Sequence, residues 1–280
     1  MPNNADRRRF PLAFDVVDAT WVTRAMRRVV LAGADDATFE TFLGRDNGFT
    51  DRYVKLLICD PAIEYPSPFD LEQIQASLPS EAWPVRRTYT VRWIDRAAKT
   101  IAIDFVVHGD EGYAGPWAAR ATIGDRIHLL GPGGAYAPAA EPDWHLVAGD
   151  DAALPAIGAA LEAMPAGRRV RAFVEVDGPE DEQRFATAAD LDITWLHRNG
   201  AAPGSTSLIA DAVRAMPWPE GRVQVFIHGE SGLLKALRSH LLDERGVDRA
   251  DLSFSGYWRR GTNEEGFREW KAAQAKVSVA

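Results

Sequence analysis

Apolar and polar residues alternate with a period of two through the first half of the chain. In one segment, Ile101, Ile103, Phe105 and Val107 fall on the same face, as in a half-buried strand. Other segments share this alternation or are rich in β-branched and aromatic residues. The predicted strands lie within residues 12–31, 53–59, 87–94, 100–107 and 125–134. Many short strands with little helix between them predict a small antiparallel barrel.

The pattern changes after residues 137–143, a linker of proline, alanine and acidic residues. Buried-type strands are predicted at residues 144–149, 168–176, 192–198, 222–229 and 250–258, and helices at 151–164, 205–216 and 230–246. Strand–helix alternation of this kind indicates a parallel sheet with right-handed crossovers. We therefore expect a β-barrel domain at residues 1–138, an α/β domain at 143–261, and a terminal helix at 262–280 that docks through Phe267 and Trp270.

Composition excludes several classes of protein. The 280 residues carry a formal net charge of −8, which disfavours binding to nucleic acid or to an anionic membrane. No apolar run approaches the ~20 residues of a membrane helix. Cys59 is the only cysteine, so internal disulfides and cysteine-ligated iron–sulfur clusters are excluded. The arginines at residues 7–9 are not followed by the apolar stretch of an export signal, so we expect a cytoplasmic protein. We also expect a monomer.

One predicted strand carries candidate ligand-binding chemistry. In the sequence RRTYTVRWID (residues 86–95), Arg87 and Tyr89 share one face, with Thr90 next to them. An arginine can make forked contacts to a pyrophosphate, a tyrosine can stack on a flavin ring, and a threonine can hydrogen-bond the flavin N5 edge. An ordinary amphipathic strand would look the same. The glycines of residues 109–115 precede a predicted helix start at WAARA (117–121), which favours an anion site for FAD phosphates, although an ordinary glycine-rich connection is the alternative.

The second domain has a strand-to-helix turn at residues 147–157, where Gly149 precedes an acidic pair and Pro155 opens the helix. Such a turn can receive a nicotinamide nucleotide, but the usual G-x-G-x-x-G fingerprint is absent. A second such turn occupies residues 227–232 and does not match the serine-hydrolase elbow. Glu175 either bonds an adenosine ribose or ends its strand in solvent. Arg198 is either a 2′-phosphate contact or a surface arginine.

Three further features bear on function. The six histidines fall singly, so we expect no protein-bound metal. Trp258, Arg259 and Arg260 follow the last strand, and aromatic and guanidinium groups together suit a planar anionic ligand. Lys55 interrupts an apolar strand, either as an edge residue or as a ligand contact.

Taken together, these motifs resemble siderophore-interacting proteins, which are FAD-containing ferric-siderophore reductases of the ferredoxin–NADP reductase superfamily. The matching segments are RRTYTVR, FVVHGDEGYAGPWAARATIGDRIHLLGPGG, LVAGDDAALPAIGAALEAMP, TWLHR, HGES…LRSHL and GYWRRG…E, in that order. The resemblance runs from about Phe14 to Phe267 and implies a six-stranded antiparallel FAD barrel followed by a parallel NAD(P)H-binding domain. One departure is Gly133, where many members of the family have a basic residue. This glycine weakens a full basic cluster for the siderophore.

The resemblance also implies residue roles. FAD contacts would be Arg87, Tyr89, Thr90, Asp104, His108, Gly109, Ala114, Gly115, Trp117 and Ala118. Contacts to NADPH or NADH would be Asp150, Ala153, Leu154, Pro155, Gly229 and Glu230. Contacts to the ferric siderophore would be Lys55 and Arg259, with Trp258 and Arg260 beside them.

The implied reaction is hydride transfer from NAD(P)H to FAD, then single-electron transfer to iron held by the siderophore, which releases Fe(II). It needs no catalytic acid or nucleophile from the protein. The alternatives are a flavoprotein reductase that uses ferredoxin or free flavin as donor or acceptor, and a siderophore-binding protein without redox activity.

Overall fold

The computed structural model describes residues 10–110, 112–262, 266, 267 and 270. The chain divides into two compact units, Met1–Ala135 and Tyr136–Ala280. The first is built around a β-barrel and the second around a parallel sheet.

The barrel of the first unit has six antiparallel strands and closes in the order β1-β2-β5-β4-β3-β6. The strands are β1 (Leu12–Trp21), β2 (Met26–Gly33), β3 (Tyr53–Ile58), β4 (Val85–Asp95), β5 (Thr100–Val106) and β6 (Arg126–Gly133). Apolar residues at alternate positions fill its interior, and Phe14, Val29, Leu56, Ile103 and Leu129 have no exposed surface. The six-stranded antiparallel barrel predicted above is confirmed.

Three α-helices accompany the barrel: α1 (Asp36–Arg45), α2 (Leu71–Ser77) and α3 (Ala114–Arg120), with a 3₁₀ turn at Ser80–Ala82. The sequence analysis placed no helix at α1 or α2. Both have an aspartate N-cap, Asp35 and Asp70, whose carboxylates accept hydrogen bonds from first-turn amides. Helix α1 also buries Phe39 and Phe42, spaced i, i+3, against the core.

The second unit has a five-stranded parallel sheet in the order β11-β10-β7-β8-β9. Its strands are β7 (Trp144–Gly149), β8 (Arg169–Val176), β9 (Asp190–His197), β10 (Val223–Glu230) and β11 (Leu252–Trp258). Its helices are α4 (Leu154–Glu162), α5 (Leu208–Ala215) and α6 (Ser231–Ser239), with 3₁₀ turns at Pro179–Asp181 and Arg249–Asp251. Strands β8 and β9 extend the sheet on one side of β7. The next strand, β10, pairs with β7 on its other side. The strand order therefore reverses between β7 and β10, which is where open parallel sheets place their ligands.

The predicted helix at residues 230–246 is divided in the structure. After α6, residues His240–Glu244 form a π-helical turn in which the Arg245 amide donates to the His240 carbonyl at 3.0 Å. The predicted C-terminal helix lies largely outside the described residues. Of its docking pair, Phe267 is 4% exposed, and its ring stacks with that of Trp270 at 5.9 Å between centroids.

Candidate functional site

The side chains of Arg87 and Tyr89 share the inner face of β4. Their direct partners on β3 are Leu56 and Val54, both fully buried in the barrel core. The Tyr89 ring lies 4.5 Å from that of Phe105, so one side of it is fixed by the core while the residue stays half-buried. The alternation of the sequence thus places a guanidinium and an aromatic ring together, as predicted.

Arg87 has an aromatic neighbour that the sequence analysis missed. Its guanidinium lies 4.9 Å from the centroid of the Tyr113 ring, and its Nη1 donates to the Arg86 carbonyl at 2.9 Å. Tyr113 sits in the glycine-rich loop and is 52% exposed. A tyrosine between the glycines of this loop was the signal available in the sequence.

The loop between β5 and α3 leaves its backbone accessible. Gly109 and Gly112 have φ angles of +59° and +79°, and among the described residues other than their chain neighbours, no atom lies within 4 Å of the position where either would carry a β-carbon. His108 is exposed at the start of this loop. A ligand can therefore approach these amides closely.

Helix α3 begins at Ala114, three residues before the predicted WAARA start, and ends after Arg120. Ala114 and Ala118 are buried, and the ring of Trp117 lies 5.6 Å from that of Phe105. A β-carbon on Gly115 would lie 3.3 Å from the Val106 carbonyl, so a glycine allows α3 to pack tightly against the end of β5.

Asp104 lies on β5 in a buried ion pair. Its side chain is 1% exposed, and its two oxygens accept hydrogen bonds from Arg28 at 2.6 and 2.7 Å. The Nε of Arg92 lies 4.0 Å away. Arg92 is an extra residue in β4, because Val91 and Trp93 pair with consecutive residues of β5. The Asp104 carboxylate thus links β2, β5 and a bulge in β4.

Lys55 and Thr90 lie on the opposite face from Tyr89. Lys55 pairs with Thr88 on β4 and Leu130 on β6, so its strand is hydrogen-bonded on both sides. The interpretation of Lys55 as an edge residue is therefore wrong, since a closed barrel has no edge there. Thr90 is 6% exposed.

The departure at Gly133 has a structural counterpart. Tyr53 pairs with Gly133 across β3 and β6, and a β-carbon at position 133 would lie 2.8 Å from the Tyr53 ring. The tyrosine ring therefore takes the space that a longer side chain at position 133 would need.

In the second unit, Asp150 occupies the point where the strand order reverses. Its Oδ2 accepts from the Trp258 indole N–H at 2.8 Å and from the Glu230 amide at 2.9 Å. Its Oδ1 accepts from the amides of Ala152 and Ala153 at 3.0 and 3.3 Å. Burial raises the pKa of this carboxyl from 3.8 to about 6, against the opposing effect of the Trp258 hydrogen bond.

Gly229 and Glu230 complete this cluster at the end of β10. Gly229 has a φ of +134°, and a β-carbon there would lie 2.7 Å from the Asp150 carboxylate, so only glycine fits. Glu230 is the N-cap of α6, and its Oε1 accepts from the Arg260 amide at 3.2 Å. Ala153, Leu154 and Pro155 are all buried at the start of α4.

Trp258 has a supporting position in this cluster. Besides its bond to Asp150, its carbonyl accepts from the Ser231 hydroxyl at 2.8 Å. The edge of its indole lies 2.9 Å from where Gly204 would carry a β-carbon. The guanidinium of Arg259 lies 4.7 Å from the centroid of the Trp270 ring.

Arg198 and Glu175 correct two interpretations from the sequence. Arg198 is not a surface residue, because its side chain is 3% exposed and its Nη2 donates to Asp151 Oδ2 at 2.7 Å. Glu175 does not end its strand in solvent, because it is 4% exposed and accepts a hydrogen bond from the Thr206 hydroxyl at 2.6 Å. Burial raises the pKa of Glu175, with Thr206 and Arg198 acting in the opposite direction.

Among the described residues, no three histidine, cysteine, aspartate or glutamate side chains gather as a metal-binding group. None of the helices in the described part of the chain has the length and hydropathy to cross a membrane.

A closed antiparallel barrel followed by a five-stranded parallel sheet places the chain in the fold class of ferredoxin–NADP reductase-like flavoproteins. Two family models match it: a siderophore-interacting FAD-binding domain over residues 15–136 and a siderophore-interacting protein over residues 142–261. The chain belongs to the siderophore-interacting protein family.

Three similar proteins illustrate this membership. An uncharacterised protein of Mycobacterium tuberculosis is 45% identical, over 95% of this chain and 96% of that protein. The ferric vibriobactin reductase of Vibrio cholerae is 34% identical, over 95% of this chain and 96% of the reductase. The crystal structure of a siderophore utilization protein from T. fusca is 36% identical and covers 90% of this chain and 94% of its own, with a TM-score of 0.76.

Proposed function

We propose that this protein is an FAD-dependent reductase that releases iron from ferric siderophores, with NAD(P)H as its electron donor. The observation that carries the proposal is the inner face of β4, where Arg87 and Tyr89 lie together in a domain that matches the siderophore-interacting FAD-binding model. The similarity to a ferric vibriobactin reductase along nearly the whole chain supports the choice of substrate.

The residues of the first unit suit FAD chemically. Arg87 offers a forked cation for the pyrophosphate, and the half-buried ring of Tyr89 offers an aromatic surface for the flavin ring. Gly109 and Gly112 leave open space beside their backbone, where phosphate oxygens can be bound by amides. Bound FAD supplies the hydride acceptance and the single-electron transfer that no side chain can provide.

The remaining predicted residues have supporting roles in this proposal. The side chain of Thr90 lies on the opposite face of β4 from Tyr89, so its contact with the flavin edge stays a prediction. Asp104 would support the FAD site indirectly. Its carboxylate already accepts two hydrogen bonds from Arg28, so it would stabilise the barrel rather than contact FAD. In the second unit, Asp150 and Gly229 would shape the nucleotide site by closing the end of β7 onto the end of β10.

With such a substrate, the described residues need not include an iron-binding group. Siderophores hold iron through hard oxygen donors, which bind Fe(III) more strongly than Fe(II), so one-electron reduction is enough to weaken the complex. The protein must instead attract an anionic chelate to a chain with a net charge of −8. We assign this attraction to Lys55 in the first unit and to Arg259 and Arg260 in the second.

The first test is spectroscopic. Protein supplied with FAD and then freed of unbound FAD should be yellow, with an absorbance band at about 450 nm that bleaches on addition of NAD(P)H. Arg87→Lys keeps the charge but loses the guanidinium fork, and we expect it to lower flavin content. Folded protein that takes up no FAD would contradict the proposal. It would favour the alternative of a siderophore-binding protein without redox activity.

The second test is kinetic. Lys55→Met and Arg259→Met should each raise KM for a ferric siderophore while flavin content stays constant. Arg169→Met, an exposed arginine at the amino end of β8, is the matched control and should leave KM unchanged. Replacing NAD(P)H by reduced ferredoxin in the same assay identifies the donor. An unchanged KM in both variants refutes the assigned role of these cations.

A further inference from the structure

The loop between β9 and α5, residues 199–206, extends across the carboxyl edge of the parallel sheet. It begins after β9, which is an edge strand, and its Gly204 reaches residues at the ends of β10 and β11. A β-carbon on Gly204 would lie 2.9 Å from Glu230 Cγ and 2.9 Å from Trp258 Cη2. Strands β8 and β7 lie between β9 and β10, so the tip of the loop reaches the point where the strand order reverses.

Both ends of this loop are fixed by one buried carboxylate at the end of β8. One oxygen of Glu175 lies 3.8 Å from Nη1 of Arg198, the residue before the loop. The other oxygen accepts a hydrogen bond from the hydroxyl of Thr206, the last residue of the loop, at 2.6 Å. The Gly200 amide also donates to Asp177 Oδ1 at 2.9 Å. Because Glu175 is 4% exposed, its two contacts hold the loop ends together where water competes little.

The tip of the loop adds little to the core of the second unit. Ala201, Ala202 and Ser205 are exposed, and Pro203 and Gly204 are half-buried. The Ser205 amide and hydroxyl both donate to the Ala202 carbonyl, at 3.1 and 2.6 Å, so these hydrogen bonds stay within the loop. A segment with fixed ends and little buried apolar surface can move without disturbing the sheet beneath it.

We propose that residues 199–206 are a lid over the dinucleotide site of the second unit, and that a dinucleotide must displace the tip of this lid from Trp258 and Glu230. The proposal rests on the proposed function for the presence of a dinucleotide donor. Ligands of open parallel sheets lie beyond the carboxyl ends of the strands, at the point of reversal, which is where the tip lies. The apparent affinity for the donor is then the intrinsic affinity multiplied by the fraction of molecules with an open lid.

Gly204→Ala tests the proposal by destabilising the closed lid. Its methyl group would meet the Trp258 ring and the Glu230 side chain, and alanine is strained at the φ of +67°. The FAD-loaded full-length protein is mixed anaerobically with NADH or NADPH, in separate titrations, and flavin reduction is followed by stopped flow at about 450 nm. We expect the half-saturating concentration of the donor to fall at least about threefold, because more molecules are open.

Two results of this titration overturn the proposal. One is a half-saturating concentration in Gly204→Ala that equals or exceeds that of the wild type, as it would if the loop were a binding wall for the dinucleotide. The other is that neither donor reduces the flavin of either protein.

Gly246→Ala is the matched control for backbone strain. Gly246 also has a φ of +67°, but among the described residues other than its chain neighbours no atom lies within 4 Å of its β-carbon position. It precedes β11, at the amino end of that strand and away from the carboxyl edge. Its half-saturating concentration should match the wild type, and a fall as large as that of Gly204→Ala overturns the assignment to the lid.

Thr206→Val tests the attachment of the loop without adding bulk, and it serves if Gly204→Ala does not fold. Valine keeps the shape of threonine but cannot donate to Glu175. We expect faster amide hydrogen exchange in the peptide that covers residues 199–206, together with a lower half-saturating donor concentration. Either readout at its wild-type value overturns the proposal.

Failure of this proposal is distinguishable from failure of the proposed function. Protein whose flavin has been reduced with one equivalent of dithionite needs no dinucleotide, and its reoxidation by ferric siderophore is followed by flavin absorbance. Reoxidation by the chelate supports the reductase whatever the donor titrations give.

Discussion

Replacing Asp150 by asparagine should change how the stability of the second unit depends on pH. The carboxylate is buried and accepts four hydrogen bonds, from Trp258, Glu230, Ala152 and Ala153. Burial raises its pKa from 3.8 to about 6, so the folded protein holds this proton more tightly than the unfolded chain does. Asparagine has no proton to release in this range, and it fills nearly the same volume.

The sign and size of the effect follow from proton linkage. Between pH 3.8 and about pH 6 the folded state binds one more proton at Asp150 than the unfolded state, so the free energy of unfolding falls as the pH rises through this window. The pKa difference of about 2 corresponds to about 3 kcal/mol. The stability of the wild type relative to Asp150→Asn should therefore fall by about 2.4 kcal/mol from pH 4 to pH 7, with most of the change below pH 6.

Urea unfolding at pH 4, 5, 6 and 7, followed by tryptophan fluorescence, measures this difference. FAD is kept in excess in every sample so that its binding affects both proteins equally. The exposed Glu220→Gln, which also removes one carboxylate, is the control and should not reproduce the difference seen with Asp150→Asn. A wild-type-minus-variant difference that is constant, or that rises with pH, refutes the argument that burial dominates at Asp150.

Three other substitutions test neighbouring parts of the structure. Asp104→Asn breaks a buried ion pair and should cost about 3–5 kcal/mol in urea unfolding, whereas Asp15→Asn, in an exposed pair, should cost less than about 1 kcal/mol; equal losses would contradict the role of burial. Gly229→Ala should destabilise the second unit by more than the about 1–3 kcal/mol of a positive-φ strain alone, because its β-carbon also meets a carboxylate, and a wild-type melting temperature would refute this. Trp258→Phe removes one donor to Asp150 and should move the pH-dependent loss of stability to higher pH; an unmoved midpoint would show that the indole bond has no influence.

The pattern of apolar residues was enough to predict the barrel and the parallel sheet. A strand with one buried face shows alternating apolar residues, and a strand with two buried faces shows a continuous apolar run. Alternation also placed Arg87 and Tyr89 on a common face. It could not reveal α1, whose signals were only an aspartate cap and two phenylalanines at helical spacing. Nor could it reveal Arg198 as buried, since a single arginine after a strand looks the same whether or not carboxylates from two other strands converge on it.

The contacts of Asp150 offer a physical reason why the second unit lacks the G-x-G-x-x-G fingerprint. A G-x-G-x-x-G turn leaves the first amides of its helix free for a pyrophosphate. At the start of α4, the amides of Ala152 and Ala153 donate to the Asp150 side chain, the Leu154 amide donates to the Asp150 carbonyl at 3.0 Å, and Pro155 has no amide hydrogen. The amides that would otherwise bind a ligand's pyrophosphate therefore bind the Asp150 carboxylate. A dinucleotide that binds at this edge must therefore be held by side chains and by ring contacts.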